Sequence, residues 1–144
     1  MESNIIIALD FADKKQALDL VRQLSPERCK LKVGLELFTA LGPEFVNELV
    51  GLGYDVFLDL KFHDIPRTVA NTVRLACQLG VWMLTLHVQG GKEMMRAARL
   101  VADEQVNRKP LLVGVTVLTS LDATDIYNTT GTQQDPLIYA TYLA

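Results

Sequence analysis

The sequence predicts an α/β fold in which parallel strands alternate with helices. Two observations support this prediction: apolar runs rich in β-branched residues recur about every 25 to 30 residues, and stretches with helical spacing lie between them. Strands that alternate with helices form right-handed βαβ crossovers and therefore a parallel sheet. The 144 residues are 49% apolar and include no evident linker, so residues 1–144 are expected to form a single domain.

Five apolar runs are the predicted strands, because each has the length and the β-branched or aromatic content of a buried strand. The first contains three consecutive isoleucines, and the third, "YDVFLDLKF", ends with charged residues at alternate positions. In chain order, the predicted strands are residues 4–10, 29–38, 54–62, 81–88 and 111–118.

Helical periodicity fills the intervals between these runs. "DKKQALDLVRQL" places Ala17, Leu20, Val21 and Leu24 on one stripe. "PEFVNELVGLG" begins at Pro43, a residue type that is favoured in the first turn of a helix. In chain order, the predicted helices are residues 13–24, 43–53, 65–80, 90–105 and 135–144.

Composition and charge exclude several classes of partner. The net charge of -3 provides no broad basic field, so we expect neither nucleic acid nor an anionic membrane as a partner. No apolar run reaches the roughly 20 residues that span a bilayer, and the first residues do not resemble a signal peptide. We therefore expect a cytoplasmic protein, in which Cys29 and Cys77 are free thiols and not part of a disulfide or a zinc site.

The stretch "DLKFHDIP", residues 59–66, places ionisable side chains at the end of a predicted buried strand. Asp59 and Lys61 are two residues apart and therefore point to the same face. In a doubly wound open sheet that face lies under a helix, where unpaired charges are costly. In a (β/α)₈ barrel, the carboxyl ends of the strands instead open into a polar mouth.

Polar residues also occur at the carboxyl ends of other predicted strands, namely Asp10, Lys32, His87 and Thr116 or Thr119. This pattern favours the barrel, although a closed barrel needs about 200 to 250 residues and the length alone favours an open sheet. We therefore predict a fold of the (β/α)₈ TIM-barrel type, present as an incomplete barrel of about five β/α units.

The charged stretch carries a resemblance to a known family. "DLKFHDIPRTV" resembles the signature of orotidine 5′-phosphate decarboxylase, a DxKxxD core followed by Ile-Pro and a Thr. "ALDF", "KVGLELF", "LHVQGG" and "VTVLTS" resemble the same family at the first, second, fourth and fifth strands. The resemblance implies the N-terminal portion of a TIM-barrel decarboxylase that converts orotidine 5′-phosphate to UMP in pyrimidine biosynthesis, without a cofactor or a metal. It also implies three further units, whose loops grip the substrate phosphate.

The resemblance assigns roles to individual residues. Lys61 matches the general acid that protonates C6 of the pyrimidine, and Asp59 matches the carboxylate that faces the substrate's own carboxylate. Asp10 and Lys32 match residues that contact the ribose hydroxyls, and Thr119 matches a residue near the pyrimidine edge. The resemblance therefore implies a substrate site at the carboxyl ends of the strands.

The resemblance implies that Asp64 contributes to the active site of a second subunit. It follows the predicted strand, and with Ile65 and Thr68 it matches residues that reach into the active site of a second chain. The resemblance therefore implies a homodimer with shared active sites, in which Lys32, Asp59, Lys61 and Asp64 form a catalytic array of alternating charge.

Other interpretations remain open from the sequence. A magnesium-dependent phosphosugar enzyme of the same superfamily would use Asp59 and Asp64 to hold the ion. The charged residues could instead form surface ion pairs, and Asp10 could cap the helix near Asp13. A five-unit piece of a barrel also leaves two strand edges open, so the chain could be a non-catalytic fragment that only associates with partner chains.

Overall fold

A computed structural model describes residues 5–106 and 108–144. Five strands form a single sheet in the order β1-β2-β3-β4-β5, and every neighbouring pair is parallel. The predicted α/β fold with a parallel sheet is therefore confirmed. The strands are β1 Ile6–Ala8, β2 Lys30–Gly34, β3 Val56–Phe62, β4 Met83–His87 and β5 Leu111–Val115.

Helices connect the strands and follow the last one. The helices are α1 Lys14–Val21, α2 Leu35–Gly51, α3 Pro66–Gln78, α4 Gly91–Asp103, α5 Ala123–Thr130 and α6 Pro136–Leu143, with a short 3₁₀ turn at Val88–Gly90. The predicted strand 29–38 was too long, because β2 ends at Gly34 and helix α2 begins at once. Helix α5 was not predicted.

Helix α2 is bent in its middle. Gly42 has φ of 69° and ψ of -170°, which is not helical, and Pro43 follows it. Glycine adopts positive φ without the steric cost that a Cβ brings, and proline fits the first turn of a new helical segment. The prediction of a helix that starts at Pro43 therefore describes the second half of α2.

The hydrophobic core lies between one face of the sheet and the helices. Leu31 and Val33 on β2 are buried, and Lys30 and Lys32, which alternate with them, point to the other face. The helices α3 and α4 pack against each other and contribute buried residues such as Met94. Alternation along β2 therefore directs apolar side chains to the core and lysines to the opposite side.

The sheet has two edges within the described residues, at β1 and β5. Leu111 and Val113 on β5 are half exposed, as expected for a strand that lacks a neighbour on one side. Five parallel strands with helices form part of the eight-unit arrangement of a barrel, which agrees with the predicted incomplete barrel. Within the described residues, none of the helices combines the length and the apolar composition that a membrane span requires.

Candidate active site

A cavity of about 440 Å³ opens at the carboxyl ends of the strands. Its charged wall contains Asp10 after β1, Lys32 on β2, and Asp59 and Lys61 on β3, and His87 lies at the end of β4. The structure thus brings together four of the charged residues that the sequence indicated. Apolar side chains complete the wall, among them Phe11, Leu37 and Leu118.

The four charged residues form a chain of ion pairs with alternating sign. Nζ of Lys61 lies 2.9 Å from Oδ1 of Asp59, and Nζ of Lys32 lies 3.9 Å from Oδ2 of Asp59. Nζ of Lys32 also lies 3.4 Å from Oδ1 of Asp10. The side chain of Asp59 is only 15% exposed, so its two ion pairs are less screened by solvent than surface pairs, whereas Asp10 is exposed. We call Asp10, Lys32, Asp59 and Lys61 the charged array.

Local structure explains how the array assembles. Gly34 pairs with Asp59 across β2 and β3, which brings the end of β2 and its Lys32 beside Asp59. Asp13, and not Asp10, caps helix α1 by accepting a hydrogen bond from the backbone N–H of Gln16. The carboxylate of Asp10 is therefore available to Lys32.

A buried threonine lies beneath the array and was not identified from the sequence. Thr85 on β4 is 4% exposed, and its Oγ1 donates to Oδ1 of Asp59 at 3.0 Å. The same oxygen accepts a hydrogen bond from the backbone N–H of Lys61 at 2.9 Å. A polar residue two positions before His87, on the same face of β4, was the available signal.

Two histidines lie beside the array. The ring centroids of His63 and His87 are 5.5 Å apart. Burial lowers the pKa of His87, and the nearby His63 and Lys61 lower it further. His87 is thereby favoured in its neutral form and adds no positive charge beside Lys61.

Asp64, Ile65 and Thr68 lie outside the cavity. Oδ1 of Asp64 accepts a hydrogen bond from the backbone N–H of Ile65 at 2.7 Å, and all three side chains are exposed. Within one chain, the second carboxylate that pairs with Lys32 is that of Asp10 and not that of Asp64. Thr119 is exposed in the turn after β5, where Leu118 lines the cavity in its place.

Comparison with known proteins identifies the family. The model of the orotidine 5′-phosphate decarboxylase / HUMPS family matches residues 3–143. The chain belongs to this family. Members similar to it include the orotidine 5′-phosphate decarboxylases of Psychromonas ingrahamii, 53% identical over 126 residues, and of Pseudoalteromonas translucida, 53% identical over 142 residues.

The family members match this chain over only part of their own length. The matches cover 88% and 97% of this chain, but 54% of the Psychromonas protein and 61% of the Pseudoalteromonas protein. A crystal structure of orotidine 5′-phosphate decarboxylase from Lactobacillus acidophilus aligns with a TM-score of 0.91 and 32% identity, covering 99% of this chain and 66% of the other. A solved member of the family therefore contains the architecture described here.

The magnesium-dependent alternative finds little support in the arrangement of the carboxylates. Asp59 lies between the ammonium groups of Lys32 and Lys61, which repel a divalent cation at that position. Asp64, the second carboxylate of that hypothesis, does not line the cavity and accepts a hydrogen bond from the backbone N–H of Ile65. In the described ranges, no group of three or more His, Cys, Asp or Glu side chains is arranged to hold a metal ion.

Proposed function

We propose that the charged array is the decarboxylation site of an orotidine 5′-phosphate decarboxylase. The observation that carries this proposal is the 2.9 Å contact between the ammonium of Lys61 and the carboxylate of Asp59 inside the cavity. An ammonium that lies in a partly enclosed site can act as a proton donor to a bound substrate. The two relatives described above carry the same activity in their names.

The reaction requires stabilisation of a carbanion. The bond between C6 of the orotate ring and its carboxylate breaks, CO₂ leaves, and the electron pair remains on C6. Lys61 is proposed to donate a proton to C6, which yields uridine 5′-monophosphate, and solvent returns a proton to the amine. The ammonium thus stabilises the developing charge before it transfers its proton.

Asp59 and Lys32 are proposed to act on the substrate in different ways. The Asp59 carboxylate would lie near the carboxylate of the substrate, and this repulsion disappears when CO₂ departs. Lys32 and Asp10 form an ion pair at the side of the cavity next to β1, where they could bind the ribose hydroxyls. We also propose Thr119 as a contact of the pyrimidine edge, which requires movement of the turn after β5.

The proposed enzyme is a homodimer with shared active sites. Asp64, Ile65 and Thr68 are exposed at the carboxyl end of β3 and the start of α3, outside their own cavity. Ile65 is 66% exposed, so its apolar side chain is accessible to a second chain. A second chain that receives this segment would bury Ile65 and bring Asp64 to the other array. We further propose a cytoplasmic location, which suits the two free cysteines.

Release of labelled CO₂ from orotidine 5′-phosphate by the purified chain tests the activity. We expect slow release by the parent, because no arginine of the described residues lines the cavity to bind the phosphate. Lys61→Ala should lower the rate a further 10²- to 10⁴-fold, on the order typical for a lost general acid. Lys14→Ala is the matched control, because Lys14 forms an exposed ion pair with Glu48 on α2.

The outcomes separate the competing functions. Equal rates for the parent and Lys61→Ala would contradict the acid role. UMP binding without any CO₂ release by the folded parent would favour a non-catalytic chain that associates with partners. Rates that disappear with a chelator and return with magnesium would favour the phosphosugar alternative.

Mixing two inactive variants tests the shared site. A dimer that combines one Lys61→Ala chain with one Asp64→Asn chain contains one site with both residues intact. An equal mixture should therefore recover about a quarter of the parental activity if hybrids form at random. Recovery no greater than the sum of the two separate variants would contradict the exchange of Asp64 between chains.

A further inference from the structure

Strand β3 is irregular where it carries the charged array. Leu58 pairs with Leu84 and Phe62 pairs with Leu86, so residues 59 to 61 lie opposite the single residue Thr85. Such a bulge interrupts the regular ladder of hydrogen bonds and redirects side chains. Asp59 still pairs with Gly34 on β2, but the regular pairing with β4 does not fix the backbone of residues 59 to 61.

Lys61 has an unusual backbone conformation within this bulge. Its φ is 53°, and it is the only residue other than glycine with a positive φ in the part of the chain that the structure describes. A residue with a Cβ occupies this region at a cost in free energy, so neighbouring groups must hold it there. The direction in which the Lys61 side chain leaves the strand depends on that conformation.

The hydroxyl of Thr85 contacts both the backbone of Lys61 and the carboxylate of Asp59. It accepts a hydrogen bond from the backbone N–H of Lys61 at 2.9 Å, in place of a regular ladder bond. It donates its only hydrogen to Oδ1 of Asp59 at 3.0 Å, the same oxygen that receives the ammonium of Lys61 at 2.9 Å. Thr85 is 4% exposed and is the one buried polar residue of the described ranges, so water does not easily replace it.

We propose that Thr85 is a positioning residue, which holds the backbone of Lys61 and the carboxylate of Asp59 in the geometry that the reaction needs. This inference rests on the proposed decarboxylase function. Thr85 does not line the cavity, so its effect passes through Lys61 and Asp59. Loss of the hydroxyl should affect the chemical step more than the binding of substrate.

Two substitutions separate a positioning role from a packing role. Thr85→Val keeps the shape of the side chain and removes the hydroxyl, whereas Thr85→Ser keeps the hydroxyl and removes the methyl group. If Thr85 only fills space in the sheet, the valine variant should be the more active of the two. If its hydroxyl positions the array, the serine variant should be the more active, even where it is the less stable to urea.

Steady-state decarboxylation by the parent and the two variants provides the measurement. We expect Thr85→Val to lower kcat about 10- to 100-fold with little change in KM, the size of effect that follows from misplaced catalytic groups. Thr85→Ser should stay within about threefold of the parent. A valine variant as active as the serine variant, or a change in KM alone, would overturn the inference and leave the proposed function standing.

Amide hydrogen exchange at Lys61 tests the geometry without reference to activity. In the parent and in Thr85→Ser, the Lys61 N–H has a buried acceptor and should exchange slowly, and in Thr85→Val it should exchange at least about tenfold faster. Equal protection in all three proteins would overturn the inference. An inactive parent with the expected exchange pattern would refute the decarboxylase function while leaving Thr85 as the residue that orders Lys61 and Asp59.

Discussion

The ammonium of Lys30 lies 4.5 Å from the centroid of the Trp82 ring. The same ammonium pairs with the carboxylate of Asp55, which also accepts a hydrogen bond from Arg108. Lys30 begins β2, and the other three residues precede β3, β4 and β5, so this group lies at the amino ends of the strands. It therefore stabilises the sheet at the end opposite the charged array.

Substitution of Lys30 should lower stability without changing the chemistry of the cavity. Lys30→Met removes a cation–π contact and a partly buried ion pair, and we expect the free energy of unfolding to fall by about 1 to 3 kcal/mol. Urea unfolding measures this change. Lys15→Met is the matched control, because Lys15 forms an exposed helical pair with Asp19 and should cost less than about 0.5 kcal/mol. Equal effects of both substitutions would contradict a special role for Lys30.

Asp55 should make stability dependent on pH in the acid range. Burial by itself raises the pKa of Asp55, but hydrogen bonds and charges from Lys30 and Arg108 outweigh burial and hold the pKa below its usual value. The unfolded chain therefore takes up the proton first. The stabilisation is complete above the unfolded pKa of about 3.9 and is lost as pH falls from there through the folded pKa.

Urea unfolding of the parent and Asp55→Asn across pH 6 to 3 checks this dependence. The parent should be the more stable at pH 6, and the difference should shrink below about pH 4. Asp19→Asn serves as a control, because Asp19 pairs with Lys15 and Arg22 on the exposed face of α1. A difference that stays constant over the whole range would contradict the assignment to Asp55.

Lys32 should contribute to ligand affinity. Its ammonium contacts both Asp10 and Asp59, so its removal leaves two carboxylates that repel an anionic nucleotide. We expect Lys32→Ala to weaken UMP binding about 10- to 100-fold, which corresponds to the loss of a charged hydrogen bond. Calorimetric titration with UMP measures this loss, and Lys14→Ala should bind as the parent does. Unchanged affinity in Lys32→Ala would remove Lys32 from the proposed site.

Gly114 on β5 marks a close contact with the turn that follows β4. A Cβ at this position would lie 2.6 Å from Cγ1 of Val88, a short branched side chain with little freedom to move. Gly114→Ala should therefore lower the free energy of unfolding by about 1 to 3 kcal/mol. The double variant with Val88→Ala should recover most of this loss, and a failure to recover would show that the steric explanation is wrong.

Most of the fold could be predicted from the periodicity of apolar residues. The two errors, the end of β2 and the missed helix α5, each have a cause in the nearby sequence. The apolar residues of "GLELF" extend the run of β2, so the sequence did not show that Gly34 ends the strand and Leu35 begins a helix. Helix α5 was missed because its residues are mostly polar. Its capping box, in which Asp122 and Asp125 bond each other's backbone N–H groups, was the signal that could have indicated it.

The site was predicted less completely than the fold. Alternation along a strand predicted Asp59 and Lys61 on one face, and both line the cavity and form an ion pair. The bulge, the positive φ of Lys61 and the hydroxyl beneath it depend on contacts between β3 and β4 that no single stretch of sequence encodes. Asp64 could not be placed from one chain, and its proposed role stays a prediction.

Each strand of this sheet from β2 to β5 pairs with the strand that precedes it in the chain. During translation the sheet can therefore grow in the order of synthesis, since no strand has to wait for a distant partner. Lys32 and Asp59 can meet when the third strand is added, but Lys61 acquires its hydrogen-bonded backbone only when the fourth strand has emerged from the ribosome with Thr85. A nascent chain that stops before β4 would carry all four charges of the array and still lack its geometry.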